Sequence, residues 1–291
     1  MITVRVPATS ANIGPGFDTL GMAFALYADF TFTEIAEGLE ITGCEEKYRG
    51  KNNLVYTSFL AGLSHLRKSV PGVSIQIKSE IPVSRGLGSS SACIVAGILG
   101  AYGLTGTEVN DKDVFSIATA IEGHPDNVSP SLYGGLTASC TAGGRAYLER
   151  YRMDERFSFL ALIPDFETQT KEARQALPEV YSRADVVYSL SRLGVILKAF
   201  ENYDCDLLRL VMDDRIHEPY RKKLIPEYEE VRALCRETDS VCFFISGSGP
   251  TLMNVIERDQ SAAIIEEKLK ALKGGWSAKL LKTDRNGATF L

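Results

Sequence analysis

Pro82-Val-Ser-Arg-Gly-Leu-Gly-Ser-Ser-Ser-Ala92 joins a strand-like segment, 73–78, to an apolar helical segment, 92–102. Gly86 and Gly88 let the backbone bend and approach a ligand closely. The free N–H groups and the positive dipole end of a following helix favour an anion. A serine-capped helix after a flexible loop has the same appearance. The stretch alone therefore indicates either a phosphate loop or an ordinary helix start.

The composition indicates a globular chain whose partners are small molecules. A length of 291 residues favours two domains, and 45% hydrophobic with 24% charged residues is ordinary for a globular protein. The net charge of -5 argues against nucleic acid as the main partner. A small anion such as ATP needs only local positive groups and remains compatible with this charge.

Location is predicted from the cysteines and from the apolar segments. None of the six cysteines forms a C-x-x-C pair, so we interpret them as buried thiols of a reducing compartment and not as disulfides or a zinc site. The first seven residues alternate like a strand and lack the apolar core of a signal peptide. No apolar run approaches the roughly 20 residues that span a bilayer. We therefore expect a cytoplasmic protein without membrane contact.

Apolar periodicity predicts alternating strands and helices. The predicted strands are 2–6 (ended by Pro7), 24–32, 73–78, 136–140, 157–163, 241–245, 251–256 and 278–281. The predicted helices are 54–67, 92–102, 112–122, 171–177, 185–202, 227–237 and 260–272. A buried stripe is expected on 185–202 at Val186, Leu190, Leu193, Leu197 and Phe200. The domain boundary is placed near residue 150, in the charged stretch 148–156, which gives domains 1–150 and 151–291.

Three glycine-rich turns punctuate the chain at 12–18, 82–92 and 246–250. The first carries Asn12 and Asp18, and the third links two apolar strands. Familiar single motifs are absent, because Ser91 stands where G-x-G-x-x-G needs glycine and no Gly-Lys-Ser/Thr occurs. The hydrolase elbow G-x-S-x-G also fails at Ala92. The three turns must therefore be interpreted together.

Taken together, the three turns resemble the motifs of the GHMP small-molecule kinases, in the same order along the chain. The segments 7–21, 122–128, 170–174 and 217–226 are similar to those of the homoserine kinases of that family. The resemblance implies an α+β fold with two domains. These are an N-terminal GHMP kinase domain with a left-handed β-α-β crossover and a C-terminal ferredoxin-like domain. It also implies ATP-dependent phosphorylation of the side-chain hydroxyl of L-homoserine, a step of threonine biosynthesis, and a homodimer.

The resemblance implies a nucleotide site around the central turn. The backbone of the loop would hold the phosphates, and Mg²⁺, which prefers oxygen ligands, would be held by Ser90 and Glu122. Asn53 would contact the adenine, although a helix cap explains this residue equally well. The full expected nucleotide set is Asn53, Pro82, Val83, Ser84, Arg85, Gly86, Leu87, Gly88, Ser89, Ser90, Ser91 and Ala92.

A second set of residues would hold the zwitterionic substrate. Arg174 and Arg221 suit a carboxylate, because guanidinium groups form two-pronged hydrogen bonds. Asp18 and Asn12 would hold the ammonium group. The resemblance also implies that His124 and Thr170 line the same pocket. His65 lies on an amphipathic helix and is interpreted as structural.

The catalytic group is the least determined part of the site. The resemblance implies Glu122, Asn127 and Arg174 as catalytic residues, with asparagine at the position where several family members have an aspartate base. Asp126 is adjacent to Asn127, but adjacent side chains need not point the same way. The hydroxyl proton would then pass directly to the phosphate, with Asn127 orienting the hydroxyl. Two alternatives stay open: a kinase for mevalonate-like or sugar alcohols, and a nucleotide-binding sensor without turnover.

Overall fold

Two β-sheets with helices packed on them organise the chain. A computed structural model describes residues 1–291. The strands are β1 (Ile2–Ala11), β2 (Leu20–Ile35), β3 (Leu39–Thr42), β4 (Gly72–Ser79), β5 (Leu136–Ala142), β6 (Arg145–Tyr151), β7 (Ser158–Ile163), β8 (Ser240–Ile245), β9 (Leu252–Ile256), β10 (Ser277–Leu281) and β11 (Thr289–Phe290). The mixture of strands and helices confirms the predicted α+β class.

The helices fall mainly between the strands. They are α1 (Leu54–His65), α2 (Ser89–Thr105), α3 (Asp111–Glu122), α4 (Val128–Tyr133), α5 (Thr170–Gln175), α6 (Arg183–Asn202), α7 (Cys205–Val211), α8 (Glu218–Arg221), α9 (Tyr228–Arg236) and α10 (Ser261–Leu269). Short 3₁₀ turns occupy Glu46–Tyr48 and Lys222–Leu224. None of the helices combines the length and the apolar character needed to cross a bilayer. The short helices α4, α7 and α8 were not predicted, because they lack a full period of apolar residues.

The first sheet contains the strands up to Tyr151 and the last short strand. Its order is β11-β1-β2-β4-β3, with β5 paired to β2 and β6 paired to β5. β3 and β4 are parallel and are connected through α1, which makes the expected β-α-β unit. The charged stretch 148–156 begins inside β6, where Leu148 pairs with Ser139. The second sheet starts at Ser158, and the division at residue 150 stays a prediction.

The second sheet has the strand order of a ferredoxin-like domain. Its order is β10-β7-β9-β8, and every neighbouring pair is antiparallel. Helices connect β7 to β8 and β9 to β10, as in a β-α-β-β-α-β unit. The chain then returns to the first sheet, where the N–H of Ala25 donates to the carbonyl of Lys282 and β11 pairs with β1. The last ten residues therefore belong structurally to the first sheet.

Helix α2 lies unusually close to its neighbours, which fixes the position of the loop before it. A Cβ on Gly97 would lie 2.3 Å from the carbonyl oxygen of Val55, and one on Gly100 would lie 2.5 Å from the ring of Phe32. Only glycine permits this approach at both positions. The central turn thus opens onto a helix that is held rigidly against α1 and the sheet.

Three sequence predictions are wrong at the level of single residues. β1 does not end at Pro7 but continues to Ala11, because a register shift between Pro7 and Ala8 accommodates the proline. Leu190 is 64% exposed, since its neighbour Ser189 faces inward and donates to Asp214. Cys140 is exposed although it was expected to be a buried thiol.

The remaining cysteines and His65 agree better with the predictions. All six cysteines are free, three are buried, and two are half-buried. His65 ends α1 and lies 3.4 Å from the carboxylate of Asp113, with its side chain 41% exposed. It does not line the main cavity, which agrees with a structural role.

Candidate active site

The three glycine turns meet at one cavity of about 580 Å³. The N–H of Thr9 donates to the carbonyl of Leu87 at 3.2 Å, which joins the first strand to the central turn. The amide of Asn12 donates to the carbonyl of Gly247 at 2.7 Å, which joins the first turn to the third. The hydroxyl of Ser246 donates to the carbonyl of Gly86 at 2.6 Å, which joins the third turn to the second. The turns therefore form one connected wall.

The central turn presents the start of α2 to the cavity. Gly88 adopts a left-handed conformation (φ 72°), and a Cβ there would lie 1.9 Å from the hydroxyl oxygen of Thr9. No side chain caps α2, so its first N–H groups stay available. Ser89 and Ser90 line the cavity beside them. This arrangement suits a phosphate group, through backbone donors and the helix dipole.

Glu122 ends α3 directly beside the central turn. Its carboxylate accepts hydrogen bonds from the hydroxyls of Ser90 at 2.8 Å and Ser91 at 3.0 Å. A carboxylate at a helix C-terminus is disfavoured by the dipole, which a cation would offset. The adjacent hydroxyl and carboxylate oxygens are donors of the kind that Mg²⁺ prefers. The residues present therefore fit the expected metal.

Asp18 and Arg174 form an ion pair in the wall of the cavity. The guanidinium donates to both carboxylate oxygens at 2.9 Å, and the two side chains are 35% and 37% exposed. Asn12 positions the pair, because its side-chain oxygen accepts from the N–H of Asp18 at 3.0 Å. In this structure the two residues predicted to bind opposite ends of the substrate bind one another.

Arg221 is a buried cation without an acidic partner. It is 2% exposed and donates only to backbone carbonyls, those of Ala173 at 3.4 Å and Gly247 at 3.0 Å. Burial, with the neighbouring charge of Arg174, lowers the pKa of its guanidinium. It nevertheless lines the cavity. An unpaired buried cation of this kind favours a carboxylate ligand.

Phe17 lies between these cations and a buried histidine. The guanidinium carbons of Arg221 and Arg174 lie 5.0 Å and 5.8 Å from the centroid of its ring. His217 stacks on it, with 5.3 Å between ring centroids. Burial lowers the pKa of His217 to about 4, and its Nε2 lies 2.8 Å from the carbonyl oxygen of Gly14. The neutral imidazole thus fixes the first turn against α8.

His124 and Asp126 form a close pair beside Asp18, and one nitrogen or carboxylate oxygen of each of the three side chains lies within 4.8 Å of the others. Nδ1 of His124 lies 2.5 Å from Oδ1 of Asp126, which is 1% exposed. Burial lowers the pKa of His124, but the hydrogen bond and the charges of Asp126 and Glu122 outweigh burial and raise it above the usual value. The pair therefore favours the protonated form of His124.

Asn127 is held by a residue from the first strand. Its side-chain oxygen accepts a hydrogen bond from the hydroxyl of Thr9 at 2.7 Å. Thr9 is fully buried, so water does not compete for this bond. With its oxygen occupied, Asn127 presents its NH₂ group as the available partner. This arrangement makes it a donor and not a proton acceptor.

Asn53 caps α1 while it lines the cavity. Its side-chain oxygen accepts from the N–H groups of Val55 at 2.8 Å and Tyr56 at 3.4 Å. Its NH₂ donates to the carbonyl of Tyr48 at 2.7 Å. In this structure Asn53 is thus a helix cap, which was one of the two expected roles. Its contact with adenine stays a prediction.

The structure brings most of the predicted residues to one cavity. The residues that line it are Asn12, Asp18, Asn53, Val83, Ser84, Arg85, Gly86, Gly88, Ser89, Ser90, Ala92, Glu122, His124, Asn127, Thr170, Arg174 and Arg221. Pro82, Leu87 and Ser91 do not line it. Leu87 and Ser91 are buried behind the loop.

Sequence reasoning missed several residues of the cavity. Thr168, Gln169 and Ser248 line it without having been predicted. Asp126 also lines it, although we set it aside as a neighbour of Asn127. Its position two residues after His124 was the available signal, since a carboxylate beside a histidine is a common pairing. For Thr9 the sequence held no signal beyond its place in the first motif.

Comparison with known proteins identifies the family. Residues 53–135 match the model of the GHMP kinases N terminal domain, and residues 196–273 match that of the GHMP kinases C terminal. The chain is 40% identical to a homoserine kinase of Clostridium botulinum (strain ATCC 19397 / Type A) over 289 residues, 99% of this chain and 97% of that protein. It is also 40% identical to a homoserine kinase of Clostridium beijerinckii, covering 100% of this chain and 99% of that protein.

Solved structures agree with this assignment. The crystal structure of homoserine kinase from Cytophaga hutchinsonii superposes with a TM-score of 0.90 at 27% identity, covering 100% of this chain and 97% of that one. A mevalonate kinase from L. major, at 15% identity and a TM-score of 0.77, covers 97% and 95% of the two chains and shows the shared fold alone. By its sequence, its fold and its full-length relatives, the chain belongs to the homoserine kinases of the GHMP kinase family.

Proposed function

We propose that this protein transfers the γ-phosphoryl group of ATP to the side-chain hydroxyl of L-homoserine, which gives O-phospho-L-homoserine and ADP. This reaction places the protein in threonine biosynthesis. A bond forms between the hydroxyl oxygen and the γ-phosphorus, and the bond to the β,γ-bridging oxygen breaks. The electron pair leaves with ADP, and the hydroxyl proton passes to an oxygen of the transferred phosphoryl group. Catalysis of this kind is mostly positioning and electrostatic stabilisation.

One observation carries the substrate assignment. The Asp18–Arg174 ion pair and the buried, unpaired Arg221 line the same cavity as the phosphate loop. A zwitterion can replace the Asp18–Arg174 pair on both sides at once, with its ammonium at Asp18 and its carboxylate at Arg174. The carboxylate also gives Arg221 the anionic partner it lacks. No charge is then left unpaired by the exchange.

The exchange predicts discrimination against substrates with only one charge. A hydroxy acid without the amino group would take Arg174 from Asp18 and leave that carboxylate without a partner. An amino alcohol without the carboxylate would do the reverse and would leave Arg221 unpaired as well. A site built around charged partners rejects analogues that lack them far more strongly than it rejects a change of apolar size. The amino-acid backbone is thus the main determinant of recognition.

The nucleotide is proposed to bind along the central turn. The backbone of residues 85–92 and the start of α2 would hold the phosphates, and Asn53, which lines the same cavity, would contact the adenine. Ser90 and Glu122 would hold Mg²⁺, whose role is to neutralise developing charge on the phosphates. Their present mutual hydrogen bond keeps both oxygen donors close together in advance of binding.

Four further residues complete the proposed site. Asn127 donates a hydrogen bond through its NH₂ and orients the acceptor hydroxyl, because Thr9 occupies its oxygen. Arg174 holds the substrate carboxylate and thereby fixes the reacting end. His124 and Thr170 line the same cavity, where we expect them to contact the substrate. Direct proton transfer to the phosphoryl group remains our preferred route, since Asp126 is already bound to His124.

A substrate panel tests this proposal. ADP release is coupled to an optical readout with MgATP and with homoserine, mevalonate, galactose, 4-hydroxybutyrate or 3-aminopropanol as acceptor. We expect turnover with homoserine and at least tenfold lower kcat/KM for both single-charge analogues, since a lost charge partner costs at least about 1.4 kcal/mol. Turnover of mevalonate or galactose in preference to homoserine would establish the other kinase alternative. Tight ATP binding without ADP release on any acceptor would establish the sensor.

Two further features stay predictions. The six free cysteines favour a reducing compartment such as the cytoplasm. A homodimer is the assembly that the family resemblance implies.

A further inference from the structure

Arg85 lies within the central turn, but its guanidinium points toward the second sheet. Nε donates to the carbonyl of Pro164 at 3.1 Å, and Nη2 donates to the carbonyl of Asp165 at 2.5 Å. Nη1 lies 3.1 Å from the carboxylate of Glu167 and donates to the carbonyl of Val83 at 3.2 Å. The side chain is only 16% exposed. Each of the three nitrogens therefore already has a partner within the protein.

The carbonyls that Arg85 binds begin the segment that carries the substrate residues. Pro164 and Asp165 follow β7 directly, and the N–H of Asp165 donates to the carbonyl of Gly274 at 3.1 Å. From this anchored point the chain runs through cavity-lining residues into α5, which carries Arg174. A change in the position of residues 164 and 165 would thus be transmitted to the carboxylate-binding guanidinium.

The backbone at Arg85 is fixed at the same time to the third turn and the residue that follows it. The N–H of Thr251 donates to the carbonyl of Arg85 at 3.3 Å, and the hydroxyl of Ser246 binds the next carbonyl at 2.6 Å. Ser84 and Gly86, on either side, both have positive φ angles, 55° and 76°. Such a backbone adopts one conformation only where its surroundings over-determine it. Ligand phosphates bound to the adjacent N–H groups would add to that constraint.

We propose that Arg85 is a positioning residue that couples the phosphate loop to the substrate segment 164–174, so that bound nucleotide strengthens homoserine binding. The inference rests on the proposed function above. A bound nucleotide orders the loop, and the ordered loop holds the guanidinium of Arg85 on the carbonyls of Pro164 and Asp165. These two hydrogen bonds fix the start of the segment that leads to Arg174. By linkage, homoserine must strengthen nucleotide binding by the same factor.

The coupling is measured by titration calorimetry of homoserine into the full-length protein with Mg²⁺, with and without a non-hydrolysable ATP analogue. In the unaltered protein we expect the analogue to lower the Kd of homoserine by about 5-fold or more, the lower end of usual coupling factors. In Arg85→Met, which keeps the length of the side chain but has no donors, we expect the ratio of the two Kd values to fall to about 1. Homoserine affinity without nucleotide should change much less, because Arg85 does not contact the substrate site directly.

Two companion variants separate coupling from general damage. Arg258→Ala removes an exposed arginine that pairs with Asp239 outside the cavity, and we expect it to keep both the coupling ratio and the turnover of the unaltered protein. Arg85→Lys keeps the positive charge but cannot donate to both carbonyls as a planar guanidinium does. We therefore expect a smaller ratio between the homoserine Kd values without and with the ATP analogue. This variant also serves as the test if Arg85→Met does not fold.

The outcomes distinguish this inference from the proposed function. If the unaltered protein neither binds nor phosphorylates homoserine, both proposals are wrong. If it turns over homoserine but shows a coupling ratio near 1, or if the Arg85 variants keep the full ratio, only the role of Arg85 is wrong. If Arg85→Met weakens nucleotide binding in the absence of homoserine by as much as it reduces the coupling ratio, the proposal is also wrong, because the side chain would then act on the nucleotide alone.

Discussion

Replacing Arg174 by alanine tests how the site holds the substrate carboxylate. Truncating one partner of a buried hydrogen-bonded charge pair costs about 2–5 kcal/mol. Arg174 is 37% exposed, so solvent screens it and the lower end applies. A loss of about 2 kcal/mol corresponds to a roughly 30-fold fall in kcat/KM for homoserine. The affinity for ATP should change much less, since the side chain of Arg174 is hydrogen-bonded to Asp18 and not to the phosphate loop.

Steady-state kinetics with each substrate varied in turn provide the measurement, and a matched ion pair provides the control. Arg156 donates to both oxygens of Asp154 at 2.9 Å, the same distances as in the Arg174–Asp18 pair, but neither residue lines the cavity. Arg156→Ala should therefore leave kcat/KM unchanged. The reasoning is refuted if Arg174→Ala leaves homoserine kinetics intact, or if it weakens ATP and homoserine equally, which would indicate a disturbed fold.

Three further variants test the other parts of the site. Glu122→Gln removes the carboxylate charge beside Ser90. We expect kcat to fall at least about tenfold and the Mg²⁺ concentration for half-maximal rate to rise. Unchanged turnover would exclude Glu122 as a metal ligand. Thr9→Val removes the hydrogen bond to the side-chain oxygen of Asn127. A buried hydrogen bond contributes about 1 kcal/mol, so we expect a roughly 5-fold lower kcat with KM unchanged. A change in KM alone would contradict the orienting role of Asn127. The pKa of His124 is raised in the folded protein, so its positive charge stabilises the fold below about pH 6.5 and is lost as the pH rises through the folded-state pKa. Denaturant titration should therefore show that His124→Gln lowers the free energy of unfolding more near pH 5.5 than near pH 8.5. A pH-independent difference would contradict the raised pKa.

Much of the secondary structure was predictable because its signals are local. The alternation in 73–78 and the apolar run 157–163 coincide with β4 and β7, and each predicted end lies within one residue of the observed one. Leu190 shows where local signals fail, since periodicity placed it on the buried stripe although tertiary contacts turned Ser189 inward. β1 passes Pro7 because a bulge, which leaves no mark in the sequence, accommodates it.

The convergence of the site was not predictable from any one of its turns. Asn12 and Arg221 are far apart in the chain, yet both donate to the carbonyl of Gly247. Such contacts depend on how the two sheets pack, and only the ordered set of three motifs and their resemblance to a family indicated them. The mutual pairing of Asp18 and Arg174 was likewise hidden, because the sequence gives residue types and not their partners in the absence of substrate.

The return of residues 282–291 to the first sheet has a consequence for synthesis on the ribosome. β11 pairs with β1 through Val4 and Arg5, so this edge of the N-terminal sheet stays open until residues 289 and 290 have been synthesised. An open strand edge is a template for unwanted pairing with other chains. Removal of residues 289 and 290 would therefore expose the backbone of β1 at this edge, although these residues lie far from β1 in the chain.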